Sequence, residues 1–128
     1  MAGLKILIVD DERDYSETME FWLMAKGYDV RAVPSGMEAI AFLSDNPEPD
    51  IVFLDILRPG MDGIETLSKI KEISPELPVI MVTAYASEER KEEASRLGAA
   101  GFFAKADDFS LAARLIKSTL EKIEDNDG

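Results

Sequence analysis

The chain has 128 residues, a formal charge of −12, and neither cysteine nor histidine. That length fits one domain with a single core, and the missing residue types exclude disulfides, thiolate or imidazole metal ligands, a histidine base and phosphohistidine chemistry within the chain. No apolar stretch approaches the roughly 20 residues that span a bilayer, the amino terminus lacks a secretory layout, and 26 acids against 14 bases argue against tracking a phosphate backbone. The expectation is a cytoplasmic protein that contacts neither membrane nor nucleic acid directly.

Five apolar runs alternate with helical patterns: Leu4 to Val9, Tyr28 to Val33, Ile51 to Leu54, Val79 to Val82 and Ala100 to Ala104. A βα repeat of this kind predicts a parallel sheet covered on both faces. The first, third and fourth runs are almost continuously apolar, as central strands are. In the second run Asp29 and Arg31 alternate with Tyr28, Val30 and Ala32, which fits an edge. With the short, glycine-bearing fifth run at the other edge, a doubly wound, flavodoxin-like α/β fold follows. Its strand order is 2-1-3-4-5 and its switch point lies between strands one and three.

Asp14, Ser35 and Asp62 each precede a glutamate by three residues, the capping-box spacing at the start of three helices. In the first helix Tyr15, Thr18, Met19, Trp22, Leu23 and Lys26 follow the helical rhythm, and Gly27 supplies the stop. The fourth helix, from Ser87 to Leu97, has only Ala94 and Leu97 as apolar residues, so it is expected to be the least anchored element. The fifth helix carries Ala112, Leu115, Ile116, Thr119, Leu120 and Ile123 toward the core. The domain is expected over residues 1–124, with 125–128 a disordered acidic tail.

The first run is followed by Asp10 and Asp11 and the third by Asp55, so in a parallel sheet these carboxylates converge at one edge, where α/β folds bind ligands. Carboxylates without histidine or cysteine form a hard-oxygen site suited to magnesium. Asp11 and Asp55 are the expected direct ligands. Asp10 is assigned to the outer sphere because adjacent residues at a strand end point apart. Thr83 and Lys105 reach the same edge, and a hydroxyl and an ammonium facing carboxylates make a clamp for a phosphoryl group. Asp55 is then the nucleophile, Lys105 neutralises charge and Thr83 donates a hydrogen bond.

These residues carry a resemblance. Val9-Asp10-Asp11-Glu12, Leu54-Asp55-Ile56, Pro59-Gly60-Met61-Asp62-Gly63, Thr83-Ala84 and Lys105, in that order, resemble the receiver domain of a two-component response regulator over almost the whole chain. The resemblance implies that Asp55 accepts a phosphoryl group from a phosphohistidine of a sensor histidine kinase or phosphotransfer protein. It implies magnesium bound by Asp11, Asp55 and the backbone carbonyl of Leu57. It further implies that Thr83 and Phe102 act as the switch, remodelling the surface of the fourth helix, fifth strand and fifth helix for a downstream effector domain or protein. A phosphorylation-dependent homodimer is compatible with it, and so is either a stand-alone receiver or one belonging to a longer regulator.

The chain departs from the pattern after Lys105. Most members have a cis-linked proline there; this chain has Ala106, and because a non-proline cis bond costs about 2.5–4 kcal/mol, a trans path is favoured. Asp107 and Asp108 follow, with capping of the last helix as their simplest role. Leu57 and Tyr85 occupy positions that in this family influence water attack on the phosphoryl group, and neither can orient a water as an acid or amide can. Slow self-dephosphorylation, with no other enzymatic activity, is the expectation.

A haloacid-dehalogenase phosphatase needs a second aspartate where Leu57 stands. A flavodoxin needs a phosphate-cradling first loop, which Asp10-Asp11-Glu12 would repel. The remaining alternative is a receiver-like interaction module that is not phosphorylated.

Overall fold

A computed structural model describes residues 3–55, 63–84 and 88–127, with backbone only at Arg90 and beyond residue 122. Its strands are β1 (Lys5–Val9), β2 (Asp29–Val33), β3 (Ile51–Asp55), β4 (Val79–Thr83) and β5 (Gly101–Ala104), all parallel, in the order β2-β1-β3-β4-β5. The helices are α1 (Arg13–Ala25), α2 (Gly36–Asp45), α3 (Gly63–Ile73), α4 (Glu88–Arg96) and α5 (Phe109–Asp127). The edge placement of β2 follows from its chemistry: Asp29 and Arg31 are exposed while Val30 is buried.

The period-two alternation of the strands divides the core into two layers. Leu7, Val9, Val52, Leu54, Val79 and Met81 pack with Leu43 of α2 and with Leu67 and Ile70 of α3. Ile6, Ile8, Ile51, Phe53, Ile80, Val82 and Phe103 pack on the other face with Met19 and Leu23 of α1 and with Ala112 and Ile116 of α5. Phe53 and Phe103 are fully buried and meet edge to face at 6.5 Å. Burying each such side chain contributes on the order of 2–3 kcal/mol. Phe109 adds a stacked ring at 6.5 Å from Phe103.

Helix boundaries separate the sequence signals that matter from those that do not. Ser35 caps α2, its hydroxyl accepting the Glu38 amide at 3.1 Å. Gly27, at φ +98, ends α1 in a conformation that disfavours a side chain. The expected box at Asp14 does not form: α1 starts at Arg13 after Glu12, leaving Asp14 in the first turn. Asp62 lies outside the described residues. At the other end of the chain α5 runs to Asp127.

Candidate functional site

Register aligns the strand ends. Val9 is level with Leu54, Asp55 with Val82, and Thr83 with Ala104. The residues after these ends therefore meet at one edge, and alternation decides which face each favours. Asp10 continues the row of Ile6 and Ile8, Asp55 that of Ile51 and Phe53, and Lys105 that of Phe103, all on the α1 and α5 side. Thr83 continues the row of Val79 and Met81, on the α3 side.

The first three residues make direct contact. Lys105 Nζ lies 2.9 Å from Asp10 Oδ2 and 3.3 Å from Asp55 Oδ2, and the side chains are 10 %, 2 % and 3 % exposed respectively. Glu12, largely solvent-exposed, forms a third ion pair with the same ammonium. Burial alone would lower the Lys105 pKa, but hydrogen bonds to Glu12 and Asp10 and the charges of Asp10 and Asp55 outweigh it, so the ammonium is held well above the usual lysine range. The cation offsets the like-charge cost of placing two carboxylates in the interior.

Asp10 is also structural. Its Oδ1 accepts the Glu12 amide at 2.8 Å, and its own amide donates to the Val33 carbonyl at 3.1 Å, fixing the β1–α1 turn. The Asp10–Glu12 bond holds the amide of the residue that precedes α1, and Asp14 lies inside the first turn of that helix. Asp11 turns outward and is exposed, yet one carboxylate oxygen each from Asp10, Asp11 and Asp55 lies within 4.8 Å of the others. Three hard oxygen donors with an open side fit a small divalent cation that keeps some of its waters. Leu57 and Tyr85 lie outside the described residues.

Thr83 is fully buried at the carboxyl end of β4, and its carbonyl accepts the Lys105 amide at 2.8 Å. Past it the β5–α5 turn closes through Asp107, whose Oδ2 accepts the Ala104 amide at 3.1 Å and whose own amide donates to the Ala104 carbonyl at 2.9 Å. The Lys105–Ala106 peptide is trans. Asp108 Oδ1 accepts the Ser110 amide at 2.9 Å, capping α5, and this backbone bond depresses its pKa. Phe102 is half-buried against the α2–α3 layer, with Lys91 Nζ of α4 at 5.6 Å from its ring centre. On α4 itself Ala94 is the buried residue among those described.

Two members of the site escaped sequence reasoning. Glu12 was part of the acidic run, and that third acid was the available signal for a further partner of Lys105. Tyr15 carries the Lys105 ammonium 4.9 Å from its ring centre. Its hydroxyl is buried and has no hydrogen-bond partner among the described residues. Burial first, then the surrounding aspartates, push that hydroxyl's pKa up to about 12 despite the opposing Lys105 charge, so the phenol is neutral at physiological pH.

Comparison with known proteins agrees with the layout. The family model described as "Response regulator receiver domain" matches residues 6–117. A receiver domain protein (CheY-like) from Methanospirillum hungatei JF-1 is 29% identical, with TM-score 0.90, over 98% of this chain and 99% of that one. The N-terminal domain of a response regulator/sensory box/GGDEF protein from Carboxydothermus hydrogenoformans is 32% identical, with TM-score 0.86, over 97% and 99%. The Vibrio cholerae chemotaxis protein CheY4 is 28% identical, with TM-score 0.81, over 94% and 98%. With a family match across most of its length and the same five-stranded architecture, the chain belongs to the response regulator receiver domains, the signalling modules of two-component systems.

Proposed function

We propose that this receiver accepts a phosphoryl group on Asp55 from a phosphohistidine of a sensor histidine kinase or phosphotransfer protein. The observation that carries the reading is the Lys105 ammonium held between the buried Asp10 and Asp55 carboxylates, a cation placed where phosphoryl oxygens would need one. An Asp55 oxygen attacks phosphorus in line as the bond to the donor imidazole breaks, its electron pair staying on the imidazole nitrogen. Lys105 then shifts from carboxylate to phosphoryl oxygen, and the Thr83 hydroxyl donates to another.

Asp11 and Asp55 would hold magnesium, with Asp10 in its outer sphere and the Leu57 carbonyl as a further ligand by family resemblance. When bound, the ion neutralises charge on the phosphoryl oxygens. Movement of Thr83 toward the phosphoryl group frees space for Phe102 to reorient, and the weakly packed α4 responds at low cost. The α4-β5-α5 surface is thereby remodelled for a downstream effector domain or protein, or for a second copy of the chain. Neither Leu57 nor Tyr85 can orient an attacking water as an acid or amide can, so the phosphorylated state is long-lived.

Incubation with acetyl phosphate and magnesium followed by intact-mass measurement tests the reading. A gain of one phosphoryl group that disappears in Asp55→Asn is the expected result. No gain in the wild type would leave a non-phosphorylated interaction module.

A further inference from the structure

Lys105 must leave Asp10 and Glu12 for a phosphoryl oxygen yet stay in the pocket, and its backbone turn carries an alanine at 106. Something other than a following ring must aim the side chain. The backbone is held up to the Cα, by the Lys105 amide on Thr83 and by the Asp107 turn, but these bonds leave four side-chain torsions unset. Beyond the Cα the ammonium contacts the Asp10 and Asp55 carboxylates and lies over the face of Tyr15, 4.9 Å from the ring centre. An aromatic face attracts a cation without neutralising it, and the attraction is strongest where water is excluded.

The ring is itself fixed. Tyr15 lies in the first turn of α1, within the layer that contains Met19 and Leu23, and meets Phe109 at 5.7 Å and 54°. Phe109 in turn contacts Trp22 at 6.0 Å and stacks on Phe103. The platform under Lys105 is therefore continuous with the aromatic cluster of the α1–α5 layer. The Tyr15 hydroxyl adds no hydrogen bond among the described residues, so the ring face is the part in contact with the cation.

We propose that Tyr15 is a positioning residue of the phosphoryl pocket, its ring face restraining the Lys105 ammonium to the arc between Asp10 and Asp55. The proposal rests on the phosphoacceptor reading for its kinetic consequence but not for the placement of Lys105. The ring offers a surface over which the ammonium can slide from carboxylate to phosphoryl oxygen without passing through water, which a fixed hydrogen-bond acceptor would not allow.

The test compares wild type, Tyr15→Phe and Tyr15→Leu, with Tyr15→Met as the ring-free variant if the leucine protein does not fold. In the unphosphorylated protein, NMR should find the Lys105 ε-methylene protons shifted upfield by the ring, in wild type and Tyr15→Phe but not in Tyr15→Leu. Phosphorylation by acetyl phosphate should slow roughly tenfold in Tyr15→Leu, with recovery to within about twofold of wild type in Tyr15→Phe. The magnesium titration midpoint should move less than about twofold in either, because Tyr15 restrains the lysine and not the metal-binding carboxylates.

An unshifted Lys105 in the wild type would overturn the proposal. So would a folded ring-free variant phosphorylated at the wild-type rate, or a Tyr15→Phe protein as slow as Tyr15→Leu. If the wild type takes up no phosphoryl group while the ring shift is present, the phosphoacceptor reading fails and the placement of Lys105 by Tyr15 stands.

Discussion

The backbone amide of Lys105 donates to the carbonyl of Thr83 at 2.8 Å, so the cation of the pocket and the buried hydroxyl at the end of β4 are tied through one hydrogen bond. Thr83 approaches the edge from the α3 layer and Lys105 from the α1–α5 layer. A change in the pocket that moves one of them is felt by the other through the main chain.

Removal of the cation should expose the cost of the acidic pocket. Lys105→Met leaves Asp10 and Asp55 buried beside each other, and breaking a buried pair in this way costs about 3 kcal/mol. Urea denaturation at neutral pH should show that loss. Magnesium should restore more stability to the variant than it adds to wild type, since it supplies the missing positive charge.

Alkaline pH should weaken the fold through two groups acting in one direction. Tyr15 and Lys105 both have folded pKa values above their unfolded ones. Below the unfolded values, about 10 for both types, their contribution is complete. As pH rises further the unfolded chain binds fewer protons than the folded one, so stability falls, for Tyr15 up to about 12. Absorbance at 295 nm should show one of the three tyrosines titrating late, and Tyr15→Phe should remove that step.

Acid should act on the start of α5. Asp108 has a folded pKa below the usual carboxylate range through its bond to the Ser110 amide, so its contribution is present above the unfolded pKa and is lost as pH falls through the folded one. In thermal melts at decreasing pH, wild type should lose this increment and Asp108→Ala, which lacks it throughout, should show a shallower decline.

Capping distinguishes two serine- and aspartate-headed helices that look alike in sequence. Ser35→Ala should cost about 1 kcal/mol, because the Glu38 amide loses its acceptor. Asp14→Ala should cost under about 0.5 kcal/mol, since it caps nothing and only its charge in the first turn of α1 is lost. Paired chemical denaturation curves would separate the two.

Hydrogen exchange should rank the helices by packing. Amides of α4, whose residues are mostly exposed and which buries Ala94, should exchange well before those of α1, where Ser16, Met19 and Leu23 are buried. Equal protection would count against α4 as the responsive element.

The strand order and the meeting of Asp10, Asp11, Asp55 and Lys105 were legible because buried parallel strands appear as apolar runs whose last residue marks the sheet edge. Thr83 was legible as to edge but not as to face. Expecting Asp14 to cap required the helix to start two residues later than it does, after Asp14 and not after Glu12, whose amide is held by Asp10 in a turn that joins β1 to α1. The roles of Tyr15 and Glu12 depend on how far the Lys105 side chain reaches across to α1, a distance no local pattern contains.

Phe102 and Phe103 are adjacent on β5, yet one packs against the α2–α3 layer and the other sits fully buried against α1 and α5. A strand with a large ring on each side cannot slide or tilt for the benefit of one layer alone. Any displacement of β5 that makes room above Phe102 presses Phe103 toward Phe53 and Phe109, so the two halves of the core share one mechanical element. Through β5, the helices behind the sheet sense what happens at the edge in front.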